Sequence, residues 1–542
     1  MKRLQYLLES KYASAACIIF AIANRIIFTT LYSSIGRDTR VQLTYAENML
    51  AGKGMGVTKY FTTNVDHGIF DTYQLFPPGF TFTIIPLLKL FNGDEYRAVL
   101  ASDIIAAILF IISIRVLCKQ LGLPLWMKNT ITLISGCTQY SFFMSFSSTD
   151  AISLSLVLFS LAAITNILIK RNQLGMGKVI GIGFLFFLPA LFRYMYLPVV
   201  VLIPFLVFCF GIYSKNKHLK ITGLKLTVAT VFFLMLVYAL TASVNGNAIY
   251  LYNVGRGFYF DQLIHWYPFI PGSFINIDFA SQLASRIPGI NYSQVFSFLE
   301  ILNVTCYVLL TLLLIRYFIF NNSKQHLSRQ FIFIASGSVI SVIIILMLAY
   351  LSFTYKAQDW GEYQWTYNKE IRYFAFLYVF ILLAFFVTTY YYPAVFKKWS
   401  VKIVAFVIIL SIVTESLHGV YYNAKIIIGS EDQDYIRNGD KNYRSFSTII
   451  SDLKKQHPGV QIMVCSPDQF YLHTAAQLDC KSIFDYANLN KADIRTNAKS
   501  ILILAVHVSD TWIMNEYIQK HKPQLRSIVA GTAFYTEEIN PQ

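Results

Sequence analysis

The fold class is decided by residues 12–52, which read YASAACIIFAIANRIIFTTLYSSIGRDTRVQLTYAENMLAG. The first part, 12–33, is apolar over the length that a helix needs to cross a bilayer, about 20 residues. It is too long for the apolar region of a signal peptide, and no clear small-residue cleavage site follows it. We therefore expect a first membrane-spanning helix, followed at once by a polar segment on the far side of the membrane.

That polar segment predicts a helix of its own. Thr39 and Gln42 have the spacing of a capping box, which places the start of the helix at Thr39. Val41, Tyr45 and Met49 recur every four residues and form one apolar face, which suits a helix lying along the membrane surface.

The composition extends the membrane assignment to most of the chain. Hydrophobic residues make up 55% of the 542 residues and charged residues 14%, whereas a soluble protein carries about 25% charged residues. Apolar stretches long enough to span the bilayer predict about eleven helices. They lie near 12–33, 96–117, 129–146, 150–169, 179–193, 196–213, 222–243, 298–320, 330–352, 372–395 and 401–420. The shorter apolar segment 77–91 is either a re-entrant or interfacial helix or part of a longer second span.

The formal charge of +16 orients these spans and does not indicate nucleic acid, because the basic residues form no binding stripe. With the N-terminus in the cytoplasm, every short basic loop falls on the cytoplasmic side, as the positive-inside rule requires. The loops 34–95, 244–297 and 353–371 and the C-terminal tail then lie outside. The basic residues of the inside loops are Lys119, Lys128, Lys170, Arg171, Lys178, Lys215, Lys217, Lys220, Lys225, Lys324, Arg329, Lys397, Lys398 and Lys402.

The tail has a different character. We predict a membrane domain over 1–423 and a small α/β domain over 424–542, with strands at 460–465, 500–505 and 528–534 alternating with helical stretches. Cys465 and Cys480 both lie in this tail, and the sequence leaves open whether they form a disulfide. The expected fold class is thus an all-α multi-pass membrane protein with a small extracytoplasmic α/β domain.

Two acids are candidates for catalysis. Asp38 stands where the first span leaves the membrane, between Arg37 and Arg40, and is either a helix cap or ion-pair partner or an ionised base in an outward-facing cavity. Asp150, in Ser147-Ser-Thr-Asp150, is either the cap of the fourth span or a second acid facing the same cavity. The predicted topology puts both acids on one side of the membrane.

Arginines on the outer side run against the positive-inside bias. Arg193, Arg256 and Arg372 are each explained singly by contact with lipid headgroups. As a group they indicate a phosphate ligand, because the guanidinium fork binds phosphate with two hydrogen bonds.

These residues resemble a known family. Asp38 followed by Tyr45-Ala-Glu-Asn-Met-Leu-Ala-Gly52, and a Pro77-Pro78 pair opening a stretch that ends Leu90-Phe-Asn-Gly93, are similar to membrane glycosyltransferases of the GT-C fold. That group includes the aminoarabinose transferases and protein O-mannosyltransferases. Phe76 stands where the family more often has lysine, so Lys53 or Lys59 would replace that cation.

The resemblance implies a mechanism. A sugar on a polyprenyl phosphate would be transferred to an envelope glycan, lipid or protein with inversion, with Asp38 as base and Asp150 as second acid. No cofactor is implied, and a divalent metal, present in some relatives, is not indicated. The expected location is a bacterial inner membrane. The expected donor contacts are Arg37, Arg40, Tyr45, Lys59, Arg193, Arg256, Arg372 and Tyr373.

Two other functions compete with this one. A transporter or flippase for a lipid-linked glycan would also need cations in the membrane, but it predicts internal repeats and broken midplane helices. A non-catalytic scaffold that presents the tail predicts no pocket beneath the first loop.

Overall fold

The protein is described by a computed structural model and divides into two compact units. The membrane unit comprises Met1–Thr30, Asp103–Leu240 and Leu251–Ile428, and the loop–tail unit comprises Leu31–Ser102, Thr241–Tyr250 and Gly429–Gln542. The residues that the structure describes are 8–32, 35, 37–71, 76–138, 148–171, 173–245, 283–291, 294–295, 298–299, 302, 328–354, 375–397, 399–428, 438–489, 494–529 and 531–541.

The membrane unit is built from long apolar helices, as the sequence predicts. Described helices overlap every expected span except 298–320, most of which lies outside the described residues. Six described helical segments are long and apolar enough to cross a membrane. Multi-pass architecture is therefore confirmed, whereas the number eleven stays a prediction. The helices are α1 (Lys11–Tyr32), α4 (Glu95–Gln120), α5 (Leu125–Cys137), α6 (Ser148–Lys170), α7 (Met176–Phe192), α8 (Leu197–Tyr213), α9 (Lys217–Asn245), α10 (Arg329–Thr354), α11 (Ala375–Tyr391) and α12 (Trp399–Ile428).

Polar contacts and small residues hold the first membrane helices together. Arg115 of α4 donates to Asn129 Oδ1 of α5 at 2.7 Å and to Ser14 Oγ of α1 at 2.6 Å. Gly136 lets α5 approach α1 closely, because a Cβ at that position would lie 2.5 Å from Ala21 Cα. Hydrogen bonds and small-residue contacts of this kind are how helices associate in lipid, where the hydrophobic effect between helices is weak.

The loop–tail unit is organised around one seven-stranded sheet. The strand order is β2-β1-β4-β3-β5-β7-β6; β3 runs parallel to β4 and β5, and β7 runs antiparallel to β5 and β6. The strands are β1 (Val57–Phe61), β2 (Asn64–Asp71), β3 (Gln461–Cys465), β4 (Lys481–Ile483), β5 (Ser500–His507), β6 (Gln524–Val529) and β7 (Thr532–Ile539). The helices of this unit are α2 (Arg37–Leu50), α3 (Gly79–Leu90), α13 (Asn438–Gln456), α14 (Gln469–Gln477) and α15 (Asn515–His521).

The central strand β5 is apolar along its length because both of its faces are covered. Ile501 and Ile503 pack in one cluster with residues of α13 and α14, whereas Leu502 and Leu504 pack in a second cluster that includes Tyr517 of α15. A strand buried on both sides loses the usual alternation of apolar and polar residues.

The first loop and the tail share this sheet. Tyr60 of β1 pairs with Ile483 of β4 in parallel orientation, and Phe484 N donates to Tyr60 O at 3.1 Å. Side chains fix the junction, since Asp485 accepts from both the backbone N and the Oγ1 of Thr62 at 2.9 and 2.8 Å. A continuous sheet cannot be divided by a bilayer, because its backbone groups have no partners in hydrocarbon. The β1–β2 hairpin of the first loop and the tail therefore lie on the same side of the membrane.

The β6–β7 hairpin, at the far end of the sheet from β1 and β2, corrects one predicted strand. The expected strand 528–534 is interrupted, because β6 ends at Val529 and β7 begins at Thr532. Gly531 lies between them with φ +80°, a conformation that favours glycine. The strand β4 and the helix α14 were not predicted. Helix α14 carries Gln477, a residue of the candidate site below.

Helix α2 also departs from the prediction in two ways. It begins at Arg37, two residues before the proposed capping box, so Asp38 is in its first turn. Its Val41–Tyr45 face packs against Met55 inside the protein and does not lie on the membrane surface. The segment 77–91 is a separate short helix, α3, which follows Pro78 and ends before a turn at Gly93.

The tail cysteines form no disulfide in the structure. Cys465, in β3, and Cys480, before β4, are both buried free thiols. Burial raises the pKa of the Cys480 thiol to about 11, which keeps it in the unreactive protonated form.

Candidate functional site

Asp38 occupies the first turn of α2 in the loop–tail unit, and its residue is half-buried. Its backbone carbonyl, rather than its carboxylate, accepts a hydrogen bond from Gln42 Nε2 at 3.0 Å. The dipole of the helix stabilises an anion at this end. The position suits the predicted base, and the role of Asp38 stays a prediction.

Arg40, two residues further on, is fully buried and lies in a polar network that the sequence did not reveal. Its NH1 donates to Glu95 Oε2 and to Gln477 Oε1, both at 2.5 Å. Gln477 Nε2 in turn donates to Glu95 Oε1 at 2.8 Å. The three side chains thus join α2, the start of α4 and the end of α14 in a closed ring of hydrogen bonds.

Glu47 completes this network. Burial, a hydrogen bond to Glu95 and the negative charge of Glu95 raise the pKa of the Glu47 carboxyl to about 9, although Arg40 and Gln477 act in the opposite direction. At neutral pH, Glu47 is therefore protonated where it contacts Glu95.

The network forms the wall of a cavity of about 470 Å³ within the loop–tail unit. Its volume is in the range of small-molecule sites, about 300–1,000 Å³. Arg444, Asp94 and Tyr96 also line it.

Tyr45 and Lys59, which were expected to contact the donor, are already engaged within the loop–tail unit. Tyr45 is 1% exposed, and its ring packs edge-on against that of His473 at 6.2 Å between centroids. Lys59 Nζ pairs with Asp71 Oδ2 across the β1–β2 hairpin at 2.5 Å and lies over the Phe484 ring. Their contribution to donor binding stays a prediction.

In the membrane unit, the structure brings together two of the predicted residues. Arg193 Nε lies 2.6 Å from Asp150 Oδ1, and Arg193 NH2 donates to Asp150 Oδ2, also at 2.6 Å. The pair is bidentate and nearly buried, with side chains 9% and 5% exposed. Asp150 is in the first turn of α6, and Arg193 has extended backbone where α7 ends.

The structure describes no side-chain positions for the remaining predicted residues. Arg256, Arg372 and Tyr373 lie outside the described residues, as does the side chain of Arg37. Asp38 belongs to the loop–tail unit and the Asp150–Arg193 pair to the membrane unit. The grouping of all these residues in one cavity stays a prediction. Within the described part of the chain, no cluster of three or more His, Cys, Asp or Glu side chains is arranged to hold a metal ion.

Sequence reasoning assigned no role to Glu47, Glu95 or Gln477. Glu47 lies within the Tyr-Ala-Glu segment that carries the family resemblance. This location was the only indication in the sequence that Glu47 matters. Gln477 is more than 370 residues from both acids along the chain, so only the fold could reveal their contact.

Comparisons with known proteins bear on the fold. No family model matches the sequence, and no curated protein matches it significantly. The structure is similar to that of the Archaeoglobus fulgidus oligosaccharyltransferase in the apo form, with 12% identity and a TM-score of 0.50 over 94% of this chain and 71% of the other. This likeness confirms the expected GT-C fold and, at such low identity, extends to the fold alone.

Weaker similarity is found to ArnT from Cupriavidus metallidurans. The form bound to undecaprenyl phosphate has 12% identity and a TM-score of 0.44, covering 96% of this chain and 97% of the other. The apo form has 11% identity and a TM-score of 0.40, covering 97% and 98%.

Proposed function

We propose that this chain is an integral membrane glycosyltransferase that moves a sugar from a polyprenyl phosphate to an acceptor hydroxyl on the extracytoplasmic face of a bacterial plasma membrane. The observation that carries the proposal is the fold shared with an oligosaccharyltransferase. The conjunction of that fold with an acid in the first turn of α2, immediately after the first span, supports an enzyme over a scaffold.

In the proposed reaction, Asp38 is the general base. It takes the proton from the acceptor hydroxyl while the acceptor oxygen forms a bond to the anomeric carbon. The bond from that carbon to the phosphate oxygen breaks on the opposite face, and the lipid phosphate leaves. One bond forms and one breaks, so the anomeric configuration inverts. The first turn of a helix supports this role, because it stabilises the ionised carboxylate that a base requires.

Arg193 is the residue that we propose for stabilising the departing phosphate, because a preorganised guanidinium favours developing negative charge. The bidentate contact with Asp150 suggests a revised role for that acid. A carboxylate held by an arginine through a hydrogen bond and a second close ion-pair contact is poorly placed to accept a proton, but it fixes the direction of the guanidinium. We therefore propose Asp150 as a positioning residue for Arg193.

Purified protein in liposomes tests the function. The liposomes contain a panel of radiolabelled polyprenyl-phosphate sugars, and envelope lipids and glycans are supplied as acceptors on the side of the loop–tail unit. A glycosyltransferase releases polyprenyl phosphate and labels the acceptor. Movement of intact donor between leaflets without release would identify a transporter, and the absence of both release and movement across the panel would favour a scaffold.

A further inference from the structure

The cavity beside Glu47 and Glu95 is separate from the side of α2 that carries Asp38. Asp38 and Glu47 are nine residues apart, which at about 100° per residue places them on opposite sides of the helix. The functions proposed for Asp38 and Arg193 leave this cavity unused.

The groups around the cavity disfavour an anionic ligand. Asp94, Glu95 and Glu47 all line it, so a phosphate or carboxylate would enter beside three carboxyl groups. Arg40 does not offset them, because its NH1 is held by Glu95 and Gln477. Arg444 is the other cation on the wall, and its residue is exposed to solvent.

The same groups suit a neutral ligand that both donates and accepts hydrogen bonds. Glu95 and Glu47 present carboxyl groups and Gln477 an amide. Each of their oxygens can accept a second hydrogen bond besides those of the network, and the Gln477 amide carries a second N–H donor. Tyr96 adds a partly exposed aromatic ring to the wall, an apolar surface against which a ligand can pack.

We propose that this cavity binds one or two uncharged sugar units of the acceptor, as a recognition subsite apart from the reacting groups. A sugar carries many hydroxyls, each a donor and an acceptor, and no net charge, which is the chemistry that this wall matches. The assignment to the acceptor rests on the proposed glycosyl transfer, whereas the binding of a neutral sugar does not.

Binding is measured on the full-length protein in detergent, in the Asp38→Asn background so that no turnover is required. The probes are methyl glycosides of neutral hexoses, pentoses and N-acetylhexosamines, with inorganic phosphate and glucuronate as anionic competitors. We expect at least one neutral glycoside to bind and neither anion to displace it. Glu95→Gln and Gln477→Ala should each weaken binding about 10-fold or more, since each removes groups that bind the sugar. Glu538→Gln is the matched control, because Glu538 is an exposed acid paired with Lys499 and does not line the cavity.

A diazirine derivative of the bound glycoside provides a readout that does not depend on variants folding. It should label peptides containing Glu95 or Gln477. The proposal is overturned if no neutral glycoside binds, if labelling falls elsewhere, or if phosphate displaces the sugar. Intact transfer without sugar binding would overturn this subsite alone. Sugar binding without any transfer would leave the subsite standing and contradict the enzymatic function.

Discussion

Tyr60 in the first loop and Ile483 in the tail are paired residues of neighbouring parallel strands, although more than 400 positions separate them in the sequence. The pairing requires an even number of membrane crossings between the loop and the tail, as the predicted topology does. It also means that the tail is not an appended domain. The first loop completes its sheet, and the tail helix α14 packs against α2, which carries Asp38.

Single cysteines placed on the two parts of the sheet should be labelled from the same side of the membrane. Ile69 and Leu525 are exposed positions in β2 and β6, and an impermeant maleimide should label Ile69→Cys and Leu525→Cys in intact spheroplasts. Lys178→Cys, in a predicted cytoplasmic loop, should react only after permeabilisation. Labelling of one sheet position and protection of the other would contradict the shared sheet.

The Asp485–Thr62 contact should stabilise the junction between hairpin and tail. Asp485→Ala removes the acceptor of two hydrogen bonds and should cost about 1–3 kcal/mol, the usual effect of leaving such groups unsatisfied. Limited proteolysis should then cut the hairpin faster than in the parent protein. Asp479→Asn is a suitable control because Asp479 is exposed, and asparagine tolerates its φ of +51°. Equal cleavage rates in parent and Asp485→Ala would refute the role of the contact.

Stability should fall as the pH rises, because Glu47 binds a proton more tightly in the folded protein. Its pKa rises from 4.5 to about 9 on folding. The stabilisation is fully present below about pH 4.5 and is lost as the pH approaches about 9, by up to about 1.4 kcal/mol per pH unit. Glu47→Gln removes this titration, so its thermal unfolding midpoint should vary less with pH than that of the parent. A parallel pH profile in both proteins would contradict the raised pKa of Glu47.

The Asp150–Arg193 pair allows stability and function to be separated. Removing either partner leaves a buried charge and should cost about 3–5 kcal/mol. Replacing both, as in Asp150→Leu with Arg193→Met, should recover much of this stability, because apolar residues of similar volume tolerate such a site. Transfer activity should stay low in the double variant if Arg193 serves the donor phosphate. A stable and fully active double variant would assign the pair to structure alone.

The sequence predicted those features that depend on local pattern. The membrane helices follow from runs of apolar residues, and Asp38 in the first turn of α2 was located within two residues. The prediction failed where the chain turns back within a few residues, as at Gly531, because an apolar run hid the turn. It also could not pair Arg193 with Asp150, or Glu95 with Gln477, since these contacts depend on the packing of separate helices. The apolar face of α2 shows the same limit, because its period indicates burial without specifying whether lipid or protein covers it.

The most direct test of the proposed function is the rate of sugar transfer by Asp38→Asn. Asparagine has nearly the same shape as aspartate, and the hydrogen bond from Gln42 is to the backbone carbonyl, which the substitution leaves in place. Expression, thermal stability and donor binding should therefore match those of the parent protein. We predict that turnover falls about 100-fold or more, because the amide cannot accept the proton of the acceptor hydroxyl. Transfer at a rate near that of the parent would contradict the assignment of Asp38 as the general base.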